Sequence, residues 1–216
     1  MSSPILIFDF DGTIADTHQY IIDIYNRLSC EFNYKSISPD EVPFLKHKTS
    51  QEIIRYLKIP VMKIPVIISR GKKEFHTNIT SLKPFEGIIT VLKELKKLNV
   101  KMGILSSNAL GNITTFLHNH GITLFDFIQA TSKLWSKNTT LQSLMKDHGF
   151  SLHEIIYIGD EIRDITAAQA LGIKVAAVSW GYNSARSLKS HQPDFFLQSP
   201  ADLLTLNHHG NIPLTS

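Results

Sequence analysis

From residue 83 onward, the hydrophobic positions alternate between a helical and a strand pattern. Residues 88–98 carry apolar side chains three and four positions apart, which predicts an amphipathic helix. Residues 100–105 are apolar apart from Lys101, which is typical of a strand buried on both faces. The alternation continues toward the C-terminus, and a further apolar run lies near the N-terminus. The predicted strands are residues 5–8, 100–105, 127–130, 155–158, 175–178 and 194–197.

Strands that alternate with helices predict an α/β fold, because each helix returns the chain to the start of the next parallel strand. We therefore expect a doubly wound, Rossmann-like parallel sheet with helices on both faces. Between the first strand and residue 83 the pattern is helical throughout, with a capping box at residues 49–52. We predict an α/β core domain made of residues 1–16 and 83–216. Residues 17–82 form a small inserted α-helical domain, called the cap below.

The composition excludes several classes of protein. The chain has 216 residues, of which 43% are hydrophobic, enough for a substantial core. No apolar run reaches the length of about 18 residues needed to cross a membrane. The apolar run at residues 5–8 lacks the basic flank and the length of a signal peptide, so we expect a cytoplasmic protein. A single cysteine, Cys30, excludes an internal disulfide and a zinc site of the CxxC type.

The charge distribution favours a small anionic ligand. The net charge is +3, and no dense Lys/Arg patch with interleaved aromatic residues occurs, so we expect no nucleic-acid partner. The cap is the basic part of the chain, with ten Lys/Arg against six Asp/Glu. A basic cap on a slightly acidic core is consistent with a small anion bound between them.

Acidic residues follow two of the predicted strands at the point where each strand ends. Asp9 and Asp11 come directly after the first strand, and Asp160 and Asp164 follow residues 155–158. In a doubly wound sheet, ligands bind beyond the carboxyl ends of the strands, so we expect these four residues to meet. Carboxylates packed together raise one another's pKa values unless a cation lies among them. Oxygen ligands without a His/Cys cluster indicate Mg²⁺ rather than zinc.

Groups suited to an anion are predicted at the same edge of the sheet. Ser106 ends the strand at residues 100–105 and offers a hydroxyl, and the amides of Ser107 and Asn108 lead into a helix N-terminus. Lys137 lies directly before another predicted helix, where its side chain can extend over the strand ends. Lys133, four residues earlier, is the alternative candidate for this position. A metal ion, a helix N-terminus and an ammonium group together favour a phosphoryl group in transfer.

These motifs, in this order, resemble the four motifs of the haloacid dehalogenase superfamily. They are Asp9-x-Asp11-Gly12-Thr13, Ser106 after an apolar strand, Lys137, and Gly159-Asp160-x-x-x-Asp164. Residues 157–164 and the later Trp180-Gly181-Tyr182 look closest to the phosphoglycolate phosphatase-like branch, which has a helical cap. The chain departs from much of the wider family at Asn138, where a proline commonly follows the lysine.

The resemblance implies a role for each acidic residue. Asp9 is the nucleophile that becomes an aspartyl phosphate. Asp11 protonates the leaving alcohol and then activates the water that hydrolyses the intermediate. Asp9, Asp160 and the backbone carbonyl of Asp11 bind Mg²⁺, and Asp164 orients a water on the metal. Because Asp9 and Asp11 are neighbours, we expect them to titrate as a coupled pair.

The resemblance also implies how substrate is held. Ser106 and Lys137 bind the transferring phosphoryl group, with help from the amides of Ser107 and Asn108. The implied activity is Mg²⁺-dependent hydrolysis of phosphomonoesters of small metabolites, such as phosphoglycolate. The expected partner is therefore a small-molecule phosphate ester. The sequence leaves the physiological substrate and the oligomeric state open.

Substrate selectivity is expected in the cap, since lids complete and dry such sites. Polar and basic residues lie before the capped helix and in a later basic stretch of the cap. The candidates for substrate contact are His47, Lys48, Thr49 and Arg70, together with the neighbouring Lys72 and Lys73.

Two other functions stay open. A sugar phosphomutase belongs to the same superfamily but returns the phosphoryl group to a sugar. A catalytically silent binding or regulatory module is the alternative from a different class, because a fold alone does not imply a function. Dehalogenation is disfavoured, because dehalogenating members lack the second acid of the first motif, which is Asp11 here. Phosphonate cleavage requires a cap lysine, such as Lys48, that forms a Schiff base.

Overall fold

The centre of the molecule is a six-stranded parallel sheet, seen in a computed structural model that describes residues 3–131 and 137–211. The strands of the described ranges are β1 (Ile5–Phe8), β2 (Ala15–Asp16), β3 (Lys83–Pro84), β4 (Met102–Ser106), β5 (Phe127–Ala130), β6 (Ile155–Gly159), β7 (Lys174–Val178) and β8 (Phe195–Leu197). The order in the sheet is β5-β4-β1-β6-β7-β8, so β1 lies between β4 and β6. All six predicted strands are present, with boundaries shifted by two residues at most.

β1 is buried on both faces of the sheet. Leu6 and Phe8 pack into the hydrophobic cluster on one face, and Ile5 and Ile7 pack into the cluster on the other. Successive side chains of a strand point to opposite faces, so a strand covered on both sides must be apolar at every position. This is why the sheet appears in the sequence as short continuous apolar runs. The predicted doubly wound α/β fold is confirmed.

Helices cover the sheet and form the cap. Within the described ranges they are α1 (His18–Phe32), α2 (Val42–Leu45), α3 (Ser50–Tyr56), α4 (Ile64–Thr77), α5 (Ile88–Lys97), α6 (Leu110–Asn119), α7 (Lys137–His148), α8 (Ile162–Gln169) and α9 (Ala185–Ser190). Gly121 follows α6 and Gly149 follows α7, with φ of +63° and +68°, a conformation that glycine adopts without strain. None of the helices described has the length and apolar character needed to span a bilayer.

The cap consists of α1 to α4, and α1 packs against α4. The capping box predicted at α3 is present. The amide of Glu52 donates to Oγ1 of Thr49 at 3.3 Å, and the amide of Thr49 donates to Oε2 of Glu52 at 2.8 Å. Both ends of the cap join the core through the antiparallel pair of β2 and β3. The predicted cap, residues 17–82, lies between β2 and β3, and its division from the core as a separate domain stays a prediction.

The hydrophobic pattern does not predict the shortest elements. The β2–β3 pair, α2, α9 and a 3-10 stretch at Pro200–Asn211 are too short or too irregular to show a period. Ile79 lies in a 3-10 turn after α4 and not on the helix itself. The capping box at residues 151–154 begins a single 3-10 turn, because β6 starts at the next residue.

Candidate active site

Three polar strand ends lie side by side at the carboxyl edge of the sheet. Because β1 pairs with both β4 and β6, the end of β1 at Asp9 lies between the strand ends that carry Ser106 and Asp160. The amide of Asp9 donates to the carbonyl of Ile158 at 2.7 Å, which extends the β1–β6 ladder by one residue. The rest of the sheet lies on opposite sides of β1, with β4 and β5 on one side and β6 to β8 on the other. Doubly wound folds bind ligands beyond the carboxyl edge at the place where the strand order changes direction in this way.

Three carboxylates form one buried cluster beside β1. Asp9, Asp160 and Asp164 each place an oxygen within 4.8 Å of the other two. Their side chains belong to residues that are 1%, 0% and 0% exposed, respectively. Burial, together with neighbouring acids, raises the pKa of Asp160 well above its ordinary value. A divalent cation among these oxygens would favour the ionised forms, and an all-oxygen donor set is the one that Mg²⁺ prefers.

Glycines leave room for this cluster. A Cβ at Gly181 would lie 2.3 Å from Cβ of Asp160, and a Cβ at Gly159 would lie 2.3 Å from Oδ2 of Asp164. Gly12 combines an equally close approach, 2.2 Å from Oδ2 of Asp160, with a φ of +76°. A side chain at any of these positions would displace a carboxylate. The backbone is therefore shaped around the acids, and the residues present fit a magnesium ion.

Asp160 is held in place from two sides. Oγ1 of Thr13 donates to Oδ1 of Asp160 at 2.9 Å. The amide of Tyr182 donates to its Oδ2 at 2.7 Å. Each carboxylate oxygen thus has one donor of its own, which fixes the carboxylate plane without neutralising the charge.

Lys137 projects from the first residue of α7 into the acid cluster. Its Nζ lies 2.5 Å from Oδ2 of Asp9 and 2.5 Å from Oδ1 of Asp164, and the side chain is 4% exposed. Burial disfavours the charged ammonium, but Asp164 and Asp9 outweigh it and raise the pKa of Lys137 well above its ordinary value. Lys137 therefore remains charged. Its competitor Lys133 lies outside the described residues.

The two acids that follow β1 have different proton affinities. Burial raises the pKa of Asp9 to about 6, against the attraction of Lys137. Burial, and the negative charge of Asp9, raise the pKa of Asp11 to about 7, although Asn108 hydrogen-bonds its carboxylate. The pKa of Asp11 is raised further than that of Asp9, which favours an ionised Asp9 beside a protonated Asp11. This is the relationship of a nucleophile to a proton donor.

The carboxylate of Asp11 is turned away from the acid cluster. Nδ2 of Asn108 donates to both of its oxygens, at 3.2 and 3.0 Å. In a continuous strand, Asp9 and Asp11 would share a face, but the chain leaves the sheet after Asp9 and turns through Gly12. The structure therefore brings together three of the four carboxylates expected to converge. The fourth lies on the wall of the cavity described next.

A cavity of about 270 Å³ lies between the cap and the carboxyl edge of the sheet. The core contributes Asp11, Ser107 and Asn108 to its lining. Ser106 lies just behind, fully buried, with its Oγ accepting a hydrogen bond from the amide of Asn108 at 3.1 Å. The amide of Asn108, expected to face an anion, thus has a partner in Ser106. The apolar lining from the cap includes Ile21, Ile24, Leu28, Ile53, Ile67 and Phe75.

The cap candidates for substrate contact differ in their placement. Lys48 lines the cavity. The hydroxyl of Thr49 caps α3 instead. Nδ1 of His47 lies 2.7 Å from Oγ of Ser184, a contact between the cap and the core. Arg70 forms an ion pair with an acid of α1 on the exposed surface.

The direction in which each side chain points from the axis of α4 determines which of its basic residues lines the cavity. Lys72 lines the cavity, whereas Arg70, two positions earlier, points to another side. Burial lowers the pKa of Lys72, and the charge of Asp11 opposes this shift. Arg163 also lines the cavity and pairs with Glu161, a position that was not predicted from the sequence. Its position inside the last motif was the available signal.

Fold and site together define an α/β enzyme with a carboxylate–lysine centre under a helical lid. The haloacid dehalogenase-like hydrolase family model matches residues 6–178. A phosphoglycolate phosphatase of Synechococcus elongatus is 33% identical over 200 residues, which cover 92% of this chain and 94% of that protein. Pyrophosphatase PpaX of Bacillus cereus is 26% identical over 207 residues, covering 93% and 94%. The chain belongs to the haloacid dehalogenase-like hydrolase family.

A solved structure agrees on the fold. The crystal structure described as a predicted phosphatase from Clostridium acetobutylicum superposes with a TM-score of 0.82 at 20% identity, covering 95% of this chain and 98% of that one. The resemblance to the phosphoglycolate phosphatase-like branch is confirmed by the 33% identical relative. The expected enzyme class, a phosphatase of this superfamily, is confirmed by the same relatives.

Proposed function

We propose that this protein hydrolyses phosphate monoesters of small metabolites, with Mg²⁺ as the cofactor and Asp9 as the nucleophile. One observation carries the proposal. Asp9 lies in a buried cluster with Asp160, Asp164 and the ammonium of Lys137, while Asp11 stands apart from it on the cavity wall. An ionised acid beside a separate proton-bearing acid is what transfer of a phosphoryl group to a carboxylate requires.

The acid cluster fits a magnesium ion. Asp9, Asp160 and the backbone carbonyl of Asp11 would hold it, with Asp164 beside them. When bound, Mg²⁺ supplies positive charge that stabilises the anionic oxygens of a transferring phosphoryl group. The donors from Thr13 and Tyr182 described above keep Asp160 in one orientation for this purpose.

In the first step, a carboxylate oxygen of Asp9 forms a bond to phosphorus while the bond from phosphorus to the ester oxygen breaks. Asp11 gives its proton to that oxygen, and the alcohol leaves. In the second step, water attacks the phosphorus of the aspartyl phosphate, and Asp11, now ionised, accepts a proton from the water. The bond to Asp9 breaks and phosphate is released. Lys137 and Ser106 hold the phosphoryl group in both steps.

A small phosphorylated acid fits the lining of the cavity. Lys48 and Lys72 place positive charge on its wall and would attract a second anionic group on the substrate, whereas the charge of Arg163 is paired with Glu161 on the same wall. The 33% identical relative is named for phosphoglycolate, a substrate of this kind. We therefore propose phosphoglycolate or a similar ester as the substrate class. The cytoplasmic location stays a prediction.

The test is a substrate panel measured with and without Mg²⁺. The panel contains phosphoglycolate, a neutral alkyl phosphate, inorganic pyrophosphate and a sugar phosphate. We expect phosphate release that requires Mg²⁺ and is most efficient with phosphoglycolate. Failure to release phosphate from any compound in the presence of Mg²⁺ would favour the catalytically silent module. An isomerised sugar phosphate in place of free phosphate would identify a phosphomutase.

A further inference from the structure

A continuous line of hydrogen bonds runs from the cap to Asp11. Nδ1 of His76, on α4, lies 2.9 Å from Oδ1 of Asn112, on α6. Nδ2 of Asn112 donates to Oδ1 of Asn108 at 2.9 Å. Nδ2 of Asn108 then donates to both carboxylate oxygens of Asp11. The line joins a cap helix, a core helix and the turn that follows β1.

Backbone groups fix the direction of every bond in this line. The amide of Ala109 can only donate, and it donates to Oδ1 of Asn108 at 2.8 Å, so Nδ2 of Asn108 must face Asp11. Nδ2 of Asn112 faces that same Oδ1 and also a backbone carbonyl of α4 at 3.4 Å, and both are acceptors. Oδ1 of Asn112 therefore faces His76, whose Nδ1 must carry a hydrogen.

Within the part of the chain that the structure describes, Asn112 and His76 do not line the cavity, and their hydrogen bonds connect to Asp11 only through Asn108. The described lining of the cavity includes Asn108 and Asp11 but neither Asn112 nor His76. Asn112 is 2% exposed, so its amide group has no access to water as a substitute partner. Two of its contacts, His76 and the backbone carbonyl, belong to α4. Lifting α4 from the core would remove both contacts and leave the amide free to turn.

We propose that Asn112 is a positioning residue that couples the seating of the cap to the orientation of the Asp11 carboxylate. The inference rests on the proposed function, in which Asp11 protonates the leaving oxygen. When α4 packs against the core, His76 fixes the amide plane of Asn112. Asn112 in turn fixes the amide plane of Asn108, and Asn108 holds both carboxylate oxygens of Asp11. Together with the hydrogen bond that Thr17 makes to the same carboxylate, this line holds the acid in its observed orientation when the cap has closed over the substrate. Closure of this kind keeps water away from the reacting atoms.

The test compares leaving groups that differ in their need for a proton. The alkoxide of an alkyl phosphate needs protonation as it leaves, whereas the p-nitrophenolate of p-nitrophenyl phosphate does not. Asn112→Asp keeps the size of the side chain and an acceptor for His76, but replaces the donor to Asn108. His76→Ala removes the exposed cap end of the line, and His76→Asn restores a donor nitrogen at the position of Nδ1. Thr77→Ala, the next residue, removes only a bond within α4 and is the matched control.

The rate compared is release of the leaving group in a single turnover, because Asp11 also serves the second step, which is the same for both esters. For the alkyl ester, we expect this rate to fall by about 10- to 100-fold in Asn112→Asp, with the rate for the p-nitrophenyl ester changed by no more than about threefold. His76→Ala should also lose rate only on the alkyl ester, by a smaller factor. His76→Asn should recover most of that rate, and Thr77→Ala should match wild type on both esters. Equal losses on both esters, or no recovery in His76→Asn, would overturn the inference while leaving the proposed function standing. A wild-type enzyme inactive on both esters would overturn both. Thermal denaturation of each variant shows that the fold is retained.

Discussion

The ammonium nitrogen of Lys137 lies 2.5 Å from a carboxylate oxygen of Asp9, although the two residues are 128 positions apart in the chain. The same nitrogen contacts Asp164 at 2.5 Å, so one buried cation serves two buried carboxylates. Ion pairs of this kind contribute little net stability, but removal of one partner leaves a buried charge without compensation. The lysine therefore matters for the integrity of the acid cluster.

Replacing Lys137 with methionine should destabilise the metal-free protein. Breaking a buried pair costs about 3–5 kcal/mol, which corresponds to roughly 6–20 °C in Tm for a chain of this size. Mg²⁺ should restore part of the loss, because a second cation can compensate Asp9 and Asp164. Differential scanning calorimetry with and without Mg²⁺ measures both effects. Lys146→Met, at an exposed position of the same helix, should leave Tm nearly unchanged.

Replacing Asp9 with asparagine should remove turnover while the fold is retained. An amide cannot form the bond to phosphorus that a carboxylate oxygen forms, so kcat should fall by more than about 10³-fold. Phosphate release and the circular dichroism spectrum check the two parts of the prediction. Turnover at the wild-type rate in a correctly folded Asp9→Asn would assign the nucleophile to another residue.

The sequence predicts the strands and the residues at their ends far better than it predicts their final orientation. Asp9, Ser106 and Asp160 were expected at one edge because apolar runs are recognisable and parallel strands deliver their carboxyl ends to the same side. The rotation of Asp11 toward Asn108 was not predictable, because it depends on the turn through Gly12 after the strand has ended.

The direction of side chains on helices was likewise not predictable from the sequence. Arg70 and Lys72 have the same chemistry in the sequence, and the phase of α4 alone decides that Lys72 reaches the cavity. Asn112 carries no recognisable signal, since its contacts come from α4, 40 and 36 positions away. Contacts between distant segments are set by packing, which single-sequence patterns do not contain.

The stability of the metal-free protein should decrease as pH rises from 5.5 to 8. The pKa of Asp11 is raised to about 7 and that of Asp9 to about 6, above the value of about 3.9 for an unfolded aspartate. Folding therefore favours the protonated acids. This contribution is fully present below about pH 4 and is lost as pH rises through 6 and 7.

Thermal melts across this pH range provide the measurement, with Asp11→Asn as the comparison. The variant cannot ionise at this position, so its Tm should fall less steeply between pH 5.5 and 8 than that of wild type. Saturating Mg²⁺ should also flatten the wild-type curve, because it favours the ionised acids in the folded state. Identical slopes in wild type and variant would show that Asp11 titrates normally.

Replacing Gly181 with alanine should disturb the acid cluster directly. The added Cβ would lie 2.3 Å from Cβ of Asp160, which forces the carboxylate or the backbone to move. Overpacking of this kind costs about 1–3 kcal/mol, and we expect the affinity for Mg²⁺ to fall by about tenfold or more. Isothermal titration with Mg²⁺ gives the affinity. Gly111→Ala is the control, since nothing lies within 4 Å of its Cβ and alanine suits its helical position.

Replacing Lys72 with methionine should change selectivity and leave the chemistry intact. Lys72 lies on the cavity wall, and burial lowers its pKa while the charge of Asp11 opposes this. A charged hydrogen bond to a carboxylate on the substrate contributes about 1.5–3 kcal/mol, so KM for phosphoglycolate should rise by about tenfold or more with kcat nearly unchanged. For a neutral alkyl phosphate, the same substitution should alter KM by less than about twofold.

Lys73→Met, at the exposed neighbouring position, should behave as wild type with both esters. An equal rise in KM for the charged and the neutral ester would mean that Lys72 binds the phosphoryl group common to both, and the site for the second anionic group would then have to be sought at Lys48 or Arg163.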